Sequence, residues 1–286
     1  IIYSNQKLLY DVLYHAASAT LNELAKDAKY LGANIGYICI LHTWGSAMNY
    51  HPHIHTIVLG GGLDDENKWK ETGGKFFLPY GVISKVFRGK YLDELKSLWN
   101  DSKLKFHGTA EKYQNSYRFK ELLDKCYEKN WVTYCKETFN GAQSVINYLG
   151  KYTHRIAISN HRIKSMTDTT VTYVVKDYKN EGCWKEKTIS GEEFIRRFMM
   201  HVPPKRFVRI RHYGLLSCRN KRKKITHCRN LLGCKKYIST LKNLNAVEMI
   251  RVLYHIDVCK CSSCGGNMVS PRKDKYSSSF RAHMRC

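Results

Sequence analysis

The sequence predicts an α+β fold: an antiparallel sheet that carries clustered histidines, covered by helices. Three observations predict it. Residues 35–44 and 54–59 are rich in β-branched residues and are separated by a short connection, as in an antiparallel pair. Residues 7–31, 82–99 and 142–152 repeat apolar side chains with a helical period. Gly60, Gly61 and Gly62 lack a following Lys-Ser/Thr, and no other Walker or dinucleotide loop is present, which argues against a parallel nucleotide-binding fold.

Length and charge set the outer bounds. With 286 residues the chain makes one large domain or two modest ones. Lys and Arg number 48 against 24 Asp and Glu, and a net charge of +24 calls for a polyanionic partner, most simply nucleic acid. There is no 18-residue apolar run and no signal-peptide pattern, so a soluble, unexported protein is expected. In that setting the eleven cysteines read as thiols or metal ligands rather than disulfides.

The first helix, 7–31, places Leu8, Leu9, Val12, Leu13, Ala16, Leu21 and Leu24 on a face that packs on the sheet. The strand at 35–44 carries His42. After the connection 45–50 comes His51-Pro52-His53-Ile54-His55, running into a strand that stops at the three glycines. Side chains alternate along a strand, so His53 and His55 share one face. If His42 pairs opposite either of them, all three imidazoles lie on that face; a one-residue slip turns His42 away. Imidazoles so placed can share one metal ion, and their chemistry also admits Zn or Ni. His51 reads as a loop residue.

Residues 76–79 read as a short strand or edge, 82–99 as an amphipathic helix decorated by Lys85, Arg88, Lys90 and Lys96, and 119–127 as a short helix. Residues 131–136 read as a strand leading into the next helix. That helix has Asn140 as N-cap, Gln143 as its capping-box partner, and Ala142, Val145, Ile146 and Leu149 as a buried stripe. Tyr148 and Tyr152 are four apart, so their rings stand one above the other on the flank of that stripe. Alone, the pair reads as two boundary aromatics.

Arg155 suits phosphate, with His154 as a weaker alternative contact to metal or phosphate. Residues 171–176 read as a strand. Residues 193–200 read as a helix with Phe194, Ile195, Phe198 and Met199 inward, ended by Pro203 and Pro204. The stretch 205–236 is the most basic, with Arg209, Arg211, Arg219, Lys221, Arg222, Lys223 and Lys224 interleaved with Phe207, His212 and Tyr213. Cations with rings suit single-stranded DNA. In the tail, Cys261-Ser-Ser-Cys264-Gly-Gly has the form of a zinc-knuckle turn, and His283 with Cys286 can complete a structural zinc site; Cys259 competes for these places.

A His-apolar-His strand followed by a helix with Tyr-x-x-x-Tyr resembles the HUH endonucleases. The segments LHTWG (41–45), HPHIHTIVLGGGL (51–63), NYLGKYTHRIAISNHRI (147–163), EEFIRRFMMHVPP (192–204), FVRIRHYGLL (207–216) and CRNLLG (228–233) are similar to the two-tyrosine HUH transposases of rolling-circle insertion sequences. They follow in that family's order over almost the whole chain. The resemblance implies a ferredoxin/RRM-like HUH nuclease domain at 1–165, a basic DNA-binding region at 166–250 and a zinc-knuckle-like tail at 251–286. It also implies that Tyr148 or Tyr152 attacks a phosphodiester of single-stranded DNA, leaving a 5′-phosphotyrosine link and a free 3′-OH. Lys151 or Arg155 would stabilise phosphate charge, and His42, His53 and His55 would hold Mg or Mn. The implied partners are single-stranded element ends and a target, met in the bacterial cytoplasm at the nucleoid. Related transposases carry a cysteine-rich zinc module ahead of this point; no cysteine precedes Cys39, so that module is either missing from this chain or absent from the protein. Two alternatives stay open. A rolling-circle replication initiator or relaxase would use the same site on an origin. A non-catalytic zinc-containing DNA-binding protein would leave the histidines and tyrosines idle.

Overall fold

The first helix, α1 (Gln6–Lys26), buries Leu9, Val12, Leu13, Ala16 and Leu24, the spacing that makes one helical face apolar. It ends earlier than 31 because Asp27 turns extended and Gly32, at φ 64°, reverses the chain. The computed structural model in which this is seen describes residues 1–73, 78–135, 142–153, 156–177, 182–234, 241 and 243–268; for 142–143 and 151–153 only the backbone is described. The chain divides into two compact units, Ile1–Cys234 and Lys235–Cys286.

In the first unit β1 (Asn34–Trp44) and β2 (Tyr50–Leu63) form an antiparallel hairpin, with the short β3 (Trp69–Glu71) at the outer edge of β2. Ile35, Tyr37, Cys39 and Leu41 point to one side of β1 and are buried with α1, α2 (Tyr80–Asn100) and α3 (Ser116–Glu128). The alternate residues Ile38, Ile40 and His42 face the other side, as the two-residue period of a strand requires. One face of the sheet is thus the core and the other carries the histidines.

Residues 131–135 are not a strand, contrary to expectation, and Lys136 lies outside the described residues. Trp131 owes its apolar character to packing on Phe87 and Tyr91 of α2, not to a sheet. Of the expected short strand at 76–79, Phe76 and Phe77 also lie outside the described residues, while Pro79 is the residue before α2. The tyrosine helix forms as α4 (Ala142–Thr153).

A second sheet, unforeseen apart from its middle strand, consists of β4 (Ile163–Met166), β5 (Thr170–Asp177) and β6 (Cys183–Ser190) in the order β4-β5-β6. Tyr173 and Val175 of β5 bury against Ala157 and Met48, so this sheet packs on the β1–β2 turn. Helix α5 (Gly191–Met199) is capped by the Ser190 hydroxyl, which accepts from Glu193 N–H at 3.2 Å. Its inward stripe differs from the expected one. Phe194 packs on the second sheet, but Ile195 and Met199 are 62% and 57% exposed. The face turned inward runs through Phe194 and Arg197 to His201 in the following turn, at i, i+3 and i+7; a nine-residue helix on a three-stranded sheet covers only one narrow stripe.

The most basic stretch then does two things. Residues 210–214 form β7 (Ile210–Gly214), which pairs antiparallel with β1 and completes a four-stranded sheet in the order β3-β2-β1-β7. Gly214, at φ 58°, lies so close to Ile35 that a Cβ would overlap its carbonyl oxygen, so only glycine closes this edge. Residues 221–231 form α6 (Lys221–Leu231), tied to the β2–β3 turn by His227 Nε2, 3.0 Å from the Asn67 carbonyl. The second unit contains α7 (Ala246–Tyr254), with a capping box between Asn245 and Glu248. The fold is therefore α+β with antiparallel sheets. Among the described residues no helix is long and apolar enough to cross a membrane.

Candidate active site

The hairpin register gathers the three histidines into a candidate metal site. His42 pairs with His53 and Ile40 with His55, so three imidazoles stand together on the face opposite the core. One ligand nitrogen from each lies within 4.8 Å of the others. His53 Nε2 and His55 Nε2 are 3.1 Å apart, and the His42 ring centroid is 4.3 Å from that of His55. His42 is 4% exposed; the other two are half-buried. Three converging nitrogen donors fit a single divalent cation. The His51 carbonyl accepts from His53 Nδ1 at 2.7 Å, which leaves Nε2 of His53 as the nitrogen that could hold a metal. His51, expected in a loop, lies within β2 and meets His53 through its backbone carbonyl.

Burial lowers the pKa of His53 below the ordinary histidine value, and burial together with the neighbouring His53 lowers that of His55 to about 4. Both rings are neutral at neutral pH, as ligation requires. The sign of the linkage follows. Between about pH 6.5, where unfolded histidine titrates, and about pH 4, the unfolded chain binds the extra protons. The metal-free protein should therefore lose stability as pH falls through that window, and His55→Ala should flatten the loss. Urea midpoints measured with chelator across pH 7 to 4 check this; a wild-type profile no steeper than that of His55→Ala contradicts it.

Tyr148 reaches this cluster from α4. Its hydroxyl is 3.0 Å from Nδ1 of His55, on the far side of that ring from His53. Tyr148 is where α4 meets the histidine face, while Ile146, expected inward, is 58% exposed. Tyr152 and Lys151 are one turn and three residues further along α4; only their backbone is described. His154 and Arg155 lie outside the described residues.

Residues 36–224 match the Y2_Tnp family, described as "Putative transposase". The chain belongs to this family. It is the two-tyrosine HUH transposase family that the motifs resemble. The chain is similar to "Putative transposase y4qJ" of Sinorhizobium fredii (strain NBRC 101917 / NGR234), at 40% identity over 234 residues, covering 82% of this chain and 59% of that protein. It is also similar to "Transposase for insertion sequence element IS801" of Pseudomonas savastanoi pv. phaseolicola, at 27% identity over 264 residues, covering 91% of this chain and 62% of that protein. The chain thus spans about three fifths of the length of these curated relatives. No solved structure matches it.

The basic candidates of this Y2_Tnp member separate into two groups. The Arg209 guanidinium lies 6.0 Å from the Trp44 ring centroid, and Arg211 is ion-paired with Asp11 and stacked 4.1 Å from the Tyr14 ring centroid. Both are built into the sheet's end. Arg219, Lys221, Arg222 and Lys223 are exposed and Lys224 half-buried. They crowd the start of α6, where Asn220 provides no side-chain cap and no acidic residue is present. Cations at a helix N-terminus oppose the helix dipole, so an anion there is welcome.

In the second unit, Cys261 and Cys264 sit on a tight turn: Gly265 N–H donates to the Cys261 carbonyl at 2.9 Å and Cys261 N–H to the Gly266 carbonyl at 2.8 Å. Backbone N–H groups of Cys264 and Ser263 hold the Cys261 thiol below its usual pKa, toward the thiolate a metal takes. His283 and Cys286 lie outside the described residues. Sequence reasoning singled out neither His201 nor Arg162 and Arg197 as functional, yet all three grip the turn that joins the two histidine-bearing strands. Their one signal was that they fall inside family-like segments.

Proposed function

We propose that this chain is the strand-cutting and rejoining part of a two-tyrosine transposase that acts on single-stranded DNA through 5′-phosphotyrosine intermediates, in the bacterial cytoplasm. The observation that carries the reading is the 3.0 Å contact between the Tyr148 hydroxyl and His55 Nδ1, with Nε2 of the same ring facing His53. The nucleophile is thereby positioned by a ring of the metal site itself. His42, His53 and His55 would hold a Mg or Mn ion, which would supply positive charge at the scissile phosphate.

Were Nε2 of His55 to hold a cation, the ring's proton would reside on Nδ1, so His55 would donate to the Tyr148 oxygen and hold it beside the histidine cluster. The Tyr148 O–P bond forms, the P–O3′ bond breaks, the phenol proton passes to solvent and the leaving 3′ oxygen takes up a proton. A phenol is a weak nucleophile unless so oriented. Tyr152, one turn along α4, serves a second cleavage while the first tyrosine holds a strand. Lys151 and Arg155 are assigned to phosphate charge on the family resemblance. The exposed cations at 219–224 track the DNA backbone; Arg209 and Arg211, already engaged within the protein, contribute less. In this reading the catalytic part extends to β7, beyond residue 165, because β7 completes the metal-bearing sheet. Cys261 and Cys264, with His283 and Cys286, hold a structural zinc in the tail.

The test is cleavage of single-stranded oligonucleotides drawn from the ends of the insertion element. A shortened strand and a covalent protein–DNA species should appear with Mg or Mn and vanish with EDTA. Cleavage that survives EDTA, or that prefers the intact duplex, would overturn the proposal.

A further inference from the structure

We propose that His201 is a positioning residue for the metal ligand His42: it holds both limbs of the β1–β2 turn so that His42 meets His53 and His55. The inference rests on the metal-site reading above. His201 is 3% exposed. Its Nε2 lies 3.1 Å from the Met48 carbonyl and its Nδ1 3.2 Å from the Thr43 hydroxyl. A carbonyl only accepts, so Nε2 carries the proton and donates; Nδ1 is then bare and accepts from Thr43. Both nitrogens are committed, so His201 is not itself a ligand. One ring ties Thr43, the neighbour of His42, to Met48 on the returning limb.

The turn depends on support from outside. The hairpin register shifts between His42 and Trp44, and Met48 is held at φ 54°, a conformation that disfavours a bulky side chain. The Arg197 guanidinium donates to the Ala47 carbonyl at 3.1 Å, and Arg162 to that of Ser46, which fixes the tip. His201 reaches further back, toward the ligand. Its ring meets Trp44 edge-on at 6.1 Å, and Trp44 stacks on the His42 ring at 4.5 Å with a 17° tilt. Two routes therefore connect His201 to His42, one through the Thr43 hydroxyl and backbone, one through the Trp44 ring. A buried imidazole must have both nitrogens satisfied, and the partners it finds here lie on the two limbs of the turn.

The experiment measures Mn²⁺ binding to the full chain, without DNA, by calorimetry and by Mn²⁺ electron paramagnetic resonance, well below each variant's unfolding midpoint. The set is wild type, His53→Ala, His201→Ala, Thr43→Val and, as a core control remote from the turn, Leu95→Ala. His201→Ala should weaken Mn²⁺ binding about 10- to 100-fold, the range for loss of a group that orients a ligand. Thr43→Val should weaken it in the same direction, and Leu95→Ala should lower the melting temperature while leaving Mn²⁺ affinity unchanged. Wild-type affinity in both His201→Ala and Thr43→Val would overturn the proposal; should His201→Ala fail to fold, Thr43→Val decides. If wild type shows no Mn²⁺ binding that His53→Ala removes, the metal-site reading fails and this proposal falls with it.

Discussion

Replacing His53 or His55 with alanine is expected to cut the rate of strand cleavage by at least about 10²-fold, because a charge-stabilising element at the scissile phosphate is lost. Folding and most DNA affinity should survive. Both rings are half-buried on the sheet face away from the core, and affinity comes from many Lys and Arg contacts that displace counterions. Cleavage rates in Mn²⁺, melting temperature and single-strand binding, measured side by side, separate the three effects. His42→Ala should be as damaging to cleavage but cost more stability, since His42 is buried and truncation leaves a cavity. Wild-type cleavage in either His53→Ala or His55→Ala contradicts the metal assignment.

The second large effect concerns the tyrosines. Tyr148→Phe keeps the ring and loses the hydroxyl, so it removes the contact to His55 and the nucleophile together. Stability should change by only ~1 kcal/mol, the scale of one hydrogen bond. The single variants Tyr148→Phe and Tyr152→Phe should each still form one covalent adduct on a suitable oligonucleotide, at unequal rates. Completed transposition needs two linked cleavages and should drop sharply in both. The double variant should form no adduct. Denaturing gels of labelled oligonucleotide follow the adduct, and a donor-excision assay follows transposition.

The hairpin was legible because its physics is local. The β-branched run and the His-Ile-His alternation leave His42 opposite His53 or His55, and pairing with His53 is observed, although the strand runs on through the three glycines to Leu63. The tyrosine helix was legible from its period, although Ile146 proved exposed. What escaped was decided by tertiary partners. Residues 210–214 read as part of a basic DNA-binding stretch, yet Ile210 and Tyr213 find partners across β1, at Ile40 and Tyr37, and Arg211 is neutralised by Asp11; strand character there comes from the neighbour. β6 is nearly all exposed and rich in lysine, with no apolar alternation to betray it. Residues 131–135 had strand-like composition, but Trp131 spends it on α2. In α5 Ile195 and Met199 face out, while Arg197, and His201 in the turn that follows, face in and donate to carbonyls of the β1–β2 turn. Sequence pattern alone carries no trace of those contacts.

The most direct test of the central claim, that a hydroxyl of α4 beside the histidine cluster attacks DNA, is mass-spectrometric mapping of the trapped protein–DNA conjugate. The wild-type chain is incubated with a single-stranded oligonucleotide and Mn²⁺, digested, and the peptide bearing the nucleotide is sequenced. The account predicts a 5′-phosphate on Tyr148 or Tyr152, formed only with the metal. A nucleotide carried by any other residue, or an adduct of equal yield in EDTA, would contradict it.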